Sequence, residues 1–161
     1  MAVLTASALA AGCDQLGLGP HEAVSAPEQA VQPPPDVRPG VGQTYADFVS
    51  HPEFERYSLH ALGAGAAAQA RFAHAMAARP EVGLLAEGGG AQALVFSGCA
   101  PSGCLEGLSV VAIDTQTGEV FAGVSDLNGQ EKLVANDRLE ALLRLTSPSQ
   151  SWDDPVRPAP G

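Results

Sequence analysis

Ala93-Leu94-Val95-Phe96-Ser97-Gly98-Cys99-Ala100-Pro101-Ser102-Gly103-Cys104 is the stretch on which the reading of the fold turns. An apolar run leads into two cysteines that enclose four small residues. A second apolar run, Leu108-Ser109-Val110-Val111-Ala112-Ile113, follows at once. Runs of this length and composition read as strands. Two strands with a cysteine-closed loop between them make a stiff protrusion, and stiff protrusions suit the probing of clefts in other proteins.

Working outward, Val82 to Ala86 is a strand candidate, and Gly88-Gly89-Gly90 turns it into a second strand over Ala91 to Gly98. The glycines are not a phosphate loop, because neither a GK[ST] ending nor a following helix is present. Leu108 to Asp114 is a third strand. Asp114-Thr115-Gln116-Thr117-Gly118 signals a hairpin into a fourth, Glu119 to Ser125, with Val120, Ala122 and Val124 on one face and Phe121 and Gly123 on the other. Leu127 to Gly129 is another turn, and Glu131 to Val134 a short fifth strand. Before the strands, Ala64 to Arg79 is dense in alanine and reads as a helix stopped by Pro80. Leu62, Gln69, Phe72, Ala73 and Met76 share one face of it. Tyr45 to Val49 is a short helical turn. After the strands, Asn136 or Asp137 caps a helix through Arg144, with Leu139, Leu142, Leu143 and Leu145 on its core face. Sequential strands with short turns imply an antiparallel meander. The expected class is therefore α+β, an antiparallel sheet of about five strands with helices packed on one face.

The 161 residues suffice for one domain with a real core. Aromatic content of 5% makes that core modest, and charged residues are only 16%. The formal net charge of −10 argues against nucleic acid, which is bound through basic patches. It either favours basic protein partners or only keeps the chain soluble.

The chain begins Met1-Ala2-Val3-Leu4-Thr5-Ala6-Ser7-Ala8-Leu9-Ala10-Ala11-Gly12-Cys13, then turns polar at Asp14-Gln15. An apolar stretch ending in small residues before a cysteine resembles the lipobox of bacterial lipoproteins. That resemblance implies a signal over residues 1–13 and lipidation of Cys13. Ala10 stands where the usual leucine would be, and no Lys or Arg precedes the apolar stretch. An ordinary secretion signal or a disordered apolar tail are the alternatives. The stretch is too short to span a bilayer as a helix. Residues 14–43 are rich in Pro, Ala, Gly and Gln and read as a disordered tether. Residues 44–149 form the folded domain, and residues 150–161 a loose tail.

The location that follows is periplasmic or cell-envelope, lipid-anchored to a membrane through Cys13, or secreted if Cys13 is not lipidated. With Cys13 set aside, Cys99 and Cys104 remain as an even pair, and an oxidising compartment lets them form a disulfide. Enzymatic candidates are poor. Ser97 and Ser102 lack a histidine within the strand region, no Gly-x-Ser-x-Gly elbow occurs, and the carboxylates are scattered. The two cysteines lie too far apart in sequence for a thioredoxin-like couple. His74 reads as a solvent-facing side chain without companions at metal-ligand spacing. No cofactor, metal or catalysis is expected.

Ser97-Gly98-Cys99-Ala100-Pro101-Ser102-Gly103-Cys104, the hairpin Leu108 to Val124, Gln130-Glu131-Lys132-Leu133 and the helix after Asn136 together resemble the inhibitor of vertebrate lysozyme (Ivy) family. The resemblance covers roughly Tyr45 to Leu145 and is better from Ala93 onward. It implies an exported inhibitor of C-type lysozyme whose disulfide-closed loop enters the target's active-site cleft. The target-binding residues so implied are Cys99, Ala100, Pro101, Ser102, Gly103 and Cys104. The family's loop usually reads Cys-Lys-Pro-His-Asp-Cys. Here Ala100 stands at the lysine, Ser102 at the histidine and Gly103 at the aspartate. A cationic histidine gives a carboxylate a hydrogen bond worth about 1.5–3 kcal/mol, and a serine hydroxyl reaches less far. Three readings follow: an inhibitor of C-type lysozyme or of a bacterial lytic transglycosylase, an Ivy-like binding module for another envelope partner, or a structural lipoprotein whose disulfide only staples a hairpin. Self-association as a homodimer is left open.

Overall fold

The computed structural model describes residues 33–78, 82–147 and 150–153, all within the unit that begins at Pro33. The expected signal over residues 1–13, including Cys13, and residues 14–32 of the expected tether 14–43 lie outside the described residues.

The fold is α+β, built on a five-stranded antiparallel sheet. The strands are β1 (Leu84–Gly88), β2 (Ala91–Ala100), β3 (Gly103–Asp114), β4 (Val120–Asp126) and β5 (Gly129–Val134), paired in chain order. Each turn comes from the residues between them. At the β3–β4 turn, Asp114 Oδ1 accepts from the backbone N–H of Gln116 and of Thr117, both at 2.8 Å. This is the local bonding by which aspartate favours a turn over a longer strand.

The sheet is covered on both faces, which corrects the expectation of helices on one. On the first face Leu94, Phe96, Val111, Ile113 and Ala122 are buried. They pack against α1 (Tyr45–Ser50), the 3-10 turn Glu55–Tyr57 and α2 (Ala66–Ala75). Phe48 holds this layer together, stacked on Phe54 with ring centroids 4.3 Å apart and tilted against Phe96 at 5.3 Å. Such aromatic pairs add about 0.5–1.5 kcal/mol each beyond the area they bury. On the second face Ala93, Ala112 and Phe121 meet Leu139, Leu142 and Leu143 of α3 (Asp137–Thr146). The physical reason was present in the sequence: β2 and β3 are apolar on consecutive residues, and a strand apolar on both faces must be buried on both.

Local chemistry starts and stops the helices. Thr44 caps α1, accepting from the Asp47 N–H. Asn136 caps α3, its Oδ1 accepting from the Leu139 N–H at 3.1 Å. α2 is shorter than its expected span and caps at Met76. Ala73 faces solvent, as does Leu145 of α3 at 66% exposure, so neither joins the core face assigned to it.

Both ends of the domain reach beyond the expected boundaries. Val37 is fully buried, and a parallel bridge joins Val41 to Gly83, so the folded part begins before Thr44. Trp152 is 5% exposed and packs edge-on to Phe121 with centroids 5.3 Å apart. Of the expected loose tail, residues 150–153 are therefore fixed to the second face, and residues 154–161 lie outside the described residues.

Candidate functional site: the disulfide-stapled hairpin

β2 and β3 run through the two cysteines, so the expected loop is a tight hairpin tip. Ala100 pairs with Gly103, and only Pro101 and Ser102 lie between. Gly103 turns the corner at φ +122°, a conformation that side-chain-bearing residues avoid. Cys99 and Cys104 are disulfide-bonded, with Cα atoms 4.5 Å apart. The ladder then slips. Cys99 pairs with Leu108, so Cys104 to Gly107 form an insertion on β3 alone. This insertion carries Leu105, 67% exposed, and Glu106 outward.

The base of the hairpin is seated on the C-terminal end of α2. The Ala78 N–H donates to the Cys99 carbonyl at 3.0 Å. A Cβ on Gly107 would lie 3.0 Å from Ala100 Cβ and 3.3 Å from Ala75 Cβ, so the absence of a side chain there is what lets the helix approach. Ala100 is consequently fully buried. It is removed from the set of target-contacting residues assigned to the loop, because its methyl group faces the domain. Cys99, Gly103 and Cys104 are half-buried, and Pro101 and Ser102 are exposed at the apex.

A second contact braces the same end of the sheet. Arg71 of α2 forks onto Asp126, with Nε to Oδ2 and Nη2 to Oδ1 both at 2.8 Å. It also donates to Glu131 and to the Gly129 carbonyl. Hydrogen bonding from Arg71, aided by the Asn128 N–H, holds the Asp126 carboxyl down at about 2. The β4–β5 turn is thereby tied to the helix that carries the tip, and it presents Leu127 at 81% exposure. The β3–β4 ladder ends at Gly107 and Asp126, so Leu105 and Leu127 both leave the sheet at that end.

Sequence reasoning placed the cysteine pair correctly and missed Leu105, Leu127 and the Arg71–Asp126 fork. The leucines carried a signal. Leu105 interrupts a polar and glycine-rich stretch, and Leu127 sits in a turn, where packing gives an apolar residue no role. The fork had none, since its partners are 55 residues apart. Chemically, the assembled end offers a rigid small-residue apex beside exposed apolar side chains. Among the described residues no group of three or more His, Cys, Asp or Glu could hold a metal ion.

Against known proteins, no protein-family model matches the chain, and no curated protein or solved structure does.

Proposed function

We propose that the chain is an exported, non-catalytic inhibitor of C-type lysozyme or of a related peptidoglycan-cleaving glycosidase, acting through the apex of the Cys99–Cys104 hairpin. The observation that carries this reading is the braced apex: Pro101 and Ser102 stand exposed on a disulfide-closed hairpin seated on α2. Stiffness before contact lowers the ordering cost of binding. The resemblance of Ser97 to Cys104 to the Ivy loop supplies the target class. The net charge of −10 suits a basic lysozyme by accelerating encounter.

The test is inhibition of a C-type lysozyme and of a lytic transglycosylase by the purified full chain. Inhibition of either that disappears in Ser102→Trp supports the proposal. No inhibition at high micromolar concentration rejects it. Restoring the family's loop chemistry is feasible at one position only. Ser102→His fits an exposed apex, whereas Ala100→Lys would bury an ammonium and Gly103→Asp would strain a left-handed φ.

The exposed Leu105 and Leu127 favour one alternative, an envelope binding module that uses the same end of the sheet. Apolar side chains beside a neutral apex suit an apolar protein surface better than a carboxylate-lined cleft. In that case Leu105→Asp abolishes partner capture while the glycosidases remain uninhibited throughout.

A further inference from the structure

The meander leaves a strand edge on either side, and the two edges differ. β5 presents Gln130, Glu131 and Lys132 to solvent, and charged side chains on an edge discourage further pairing. On the β1 side, residues 82–90 carry a single charge, Glu87. Of the seven large apolar side chains exposed among the described residues, five lie along this edge. They are Leu84 and Leu85 on the strand, Val82 before it, Val41 bridged to Gly83, and Leu145 beside Gly88 and Gly89. The backbone is open there as well. The Gly83 N–H donates to the Gln43 carbonyl at 2.8 Å, and its C=O accepts from the Gly42 N–H at 3.0 Å, on the side away from β2. Every second residue of a strand directs these groups the same way. Those of Leu85 and Glu87 therefore point outward, and among the described residues none takes them. Apolar side chains and unpaired backbone groups together suit the addition of another strand.

We propose that the added strand is β1 of a second copy of this chain, antiparallel and related by a two-fold axis at Ala86. The register is what decides for a second copy. The usable edge is short, because Gly42 and Gln43 end it before Leu84 and the Gly89-Gly90 turn leads away to β2 after Gly88. Only one antiparallel register then uses both outward residues in both copies. It sets Leu85 opposite Glu87 of the second copy and Glu87 opposite its Leu85, with the two Ala86 facing each other between them. Every outward group pairs with its symmetry image and none is left over, so the edge is self-complementary. The side chains agree. Leu84 stands opposite Gly88 of the second copy, where a Cβ would lie 3.8 Å from Leu145. The missing side chain leaves Leu84 of one copy room to meet Leu145 of the other. The charges agree too, since Glu87 faces Leu85 and not another Glu87. The charged β5 edge keeps the sheet from growing further, so the assembly closes at two. The hairpin apex lies at the far end of β2 from the Gly89-Gly90 turn and stays uncovered, so the pairing is independent of its role.

The test is sedimentation velocity of the purified full chain over a micromolar concentration series, with cross-linking to read the register. A short strand pairing is a small interface and gives a weak, reversible dimer. Added salt should strengthen it, since each copy carries −10. Leu84→Lys and Leu85→Pro should each raise the dissociation constant about tenfold or more. Neither removes a β1–β2 hydrogen bond: Leu84 is changed only in its exposed side chain, and the Leu85 N–H points outward, where an edge strand tolerates proline. Leu145→Lys serves if Leu85→Pro does not fold. In a Cys13→Ser background the two remaining cysteines are bonded to each other. There Ala86→Cys should cross-link into a dimer under mild oxidation, because the facing Cα atoms of such a pair lie about 4.5 Å apart. Leu84→Cys, opposite Gly88, should not. A chain that stays monomeric throughout, at low and high salt, overturns the proposal and leaves the edge to a strand from another protein. A dimer indifferent to Leu84→Lys but lost in Leu127→Lys overturns it in favour of the hairpin end. Cross-linking of Leu84→Cys in place of Ala86→Cys overturns it as well.

Discussion

Gly98 on β2 lies so close to Met76 that a Cβ there would stand 2.4 Å from the Met76 sulfur and 2.9 Å from its Cα. The sulfur could swing away, but the Cα could not without moving the end of α2. Gly98→Ala should therefore destabilise the domain by about 1–3 kcal/mol, the usual cost of overpacking. Urea unfolding at neutral pH measures this. The same change should weaken any binding through the apex, since it lifts the hairpin from its seat. A stability unchanged within about 0.5 kcal/mol would mean that α2 gives way freely.

Removing the disulfide separates global from local stiffness. The loop that it closes is very short, so Cys99→Ser with Cys104→Ser should cost only about 2 kcal/mol in the chain-entropy model. The apex should lose more than that figure suggests, because the Cys104 to Gly107 insertion lies outside the β2–β3 ladder. Amide exchange in the double variant should rise at Ala100 to Gly107 and stay unchanged in the centre of β3. Uniform acceleration across the sheet would refute a local role. Alkylation of the oxidised chain without reductant should leave Cys99 and Cys104 unmodified.

Trp152 is the sole tryptophan, and its position gives it a direct readout. Its Nε1–H donates to Glu140 Oε1 at 3.3 Å, and its ring fills the space above Gly123, where a Cβ would lie 2.6 Å from it. Trp152→Ala should cost about 3–5 kcal/mol, the usual range for a buried tryptophan. Cutting the chain after Ser147 should cost at least as much, since it also removes the Ser151 carbonyl that accepts from the Ser147 hydroxyl. The native emission should be blue-shifted and move to the red on unfolding. A solvent-exposed emission maximum in the folded protein would show that the tail is loose after all.

The strand order was legible because it is written locally: short turns at Gly89-Gly90, Thr117-Gly118 and Asn128-Gly129 leave a meander few alternatives. The helix layers were less so. Leu94 and Phe96 face one layer while Ala93 faces the other, and the sequence displays that only as an unbroken apolar run. Ala100 shows the limit most clearly. Its place in a cysteine loop suggested exposure, yet it is buried beside Gly107, which also lies against Ala75 of α2.

Acid should unfold the protein through two carboxylates. Asp126 is held at about 2 chiefly by Arg71, and Glu140 is held at about 2 chiefly by Lys132 and then by Arg144. Both would titrate near 4 in the unfolded chain. A carboxyl depressed in the native state contributes stability that is complete above its unfolded value and is lost as pH falls through its native one. The window is therefore from about pH 4.5 down to about pH 2. Each pKa unit corresponds to about 1.36 kcal/mol. Arg71, Lys132 and Arg144 are partly in water, at 25%, 42% and 44% side-chain exposure. Screening should then hold the loss to about 1–2 kcal/mol per carboxylate. Urea midpoints at pH 7, 4.5 and 2.5 measure it. Arg71→Ala should lower the midpoint at pH 7 and make the drop toward pH 2.5 shallower, since Asp126 then titrates closer to its ordinary value. An undiminished acid drop in Arg71→Ala would show that the fork does not set the Asp126 pKa.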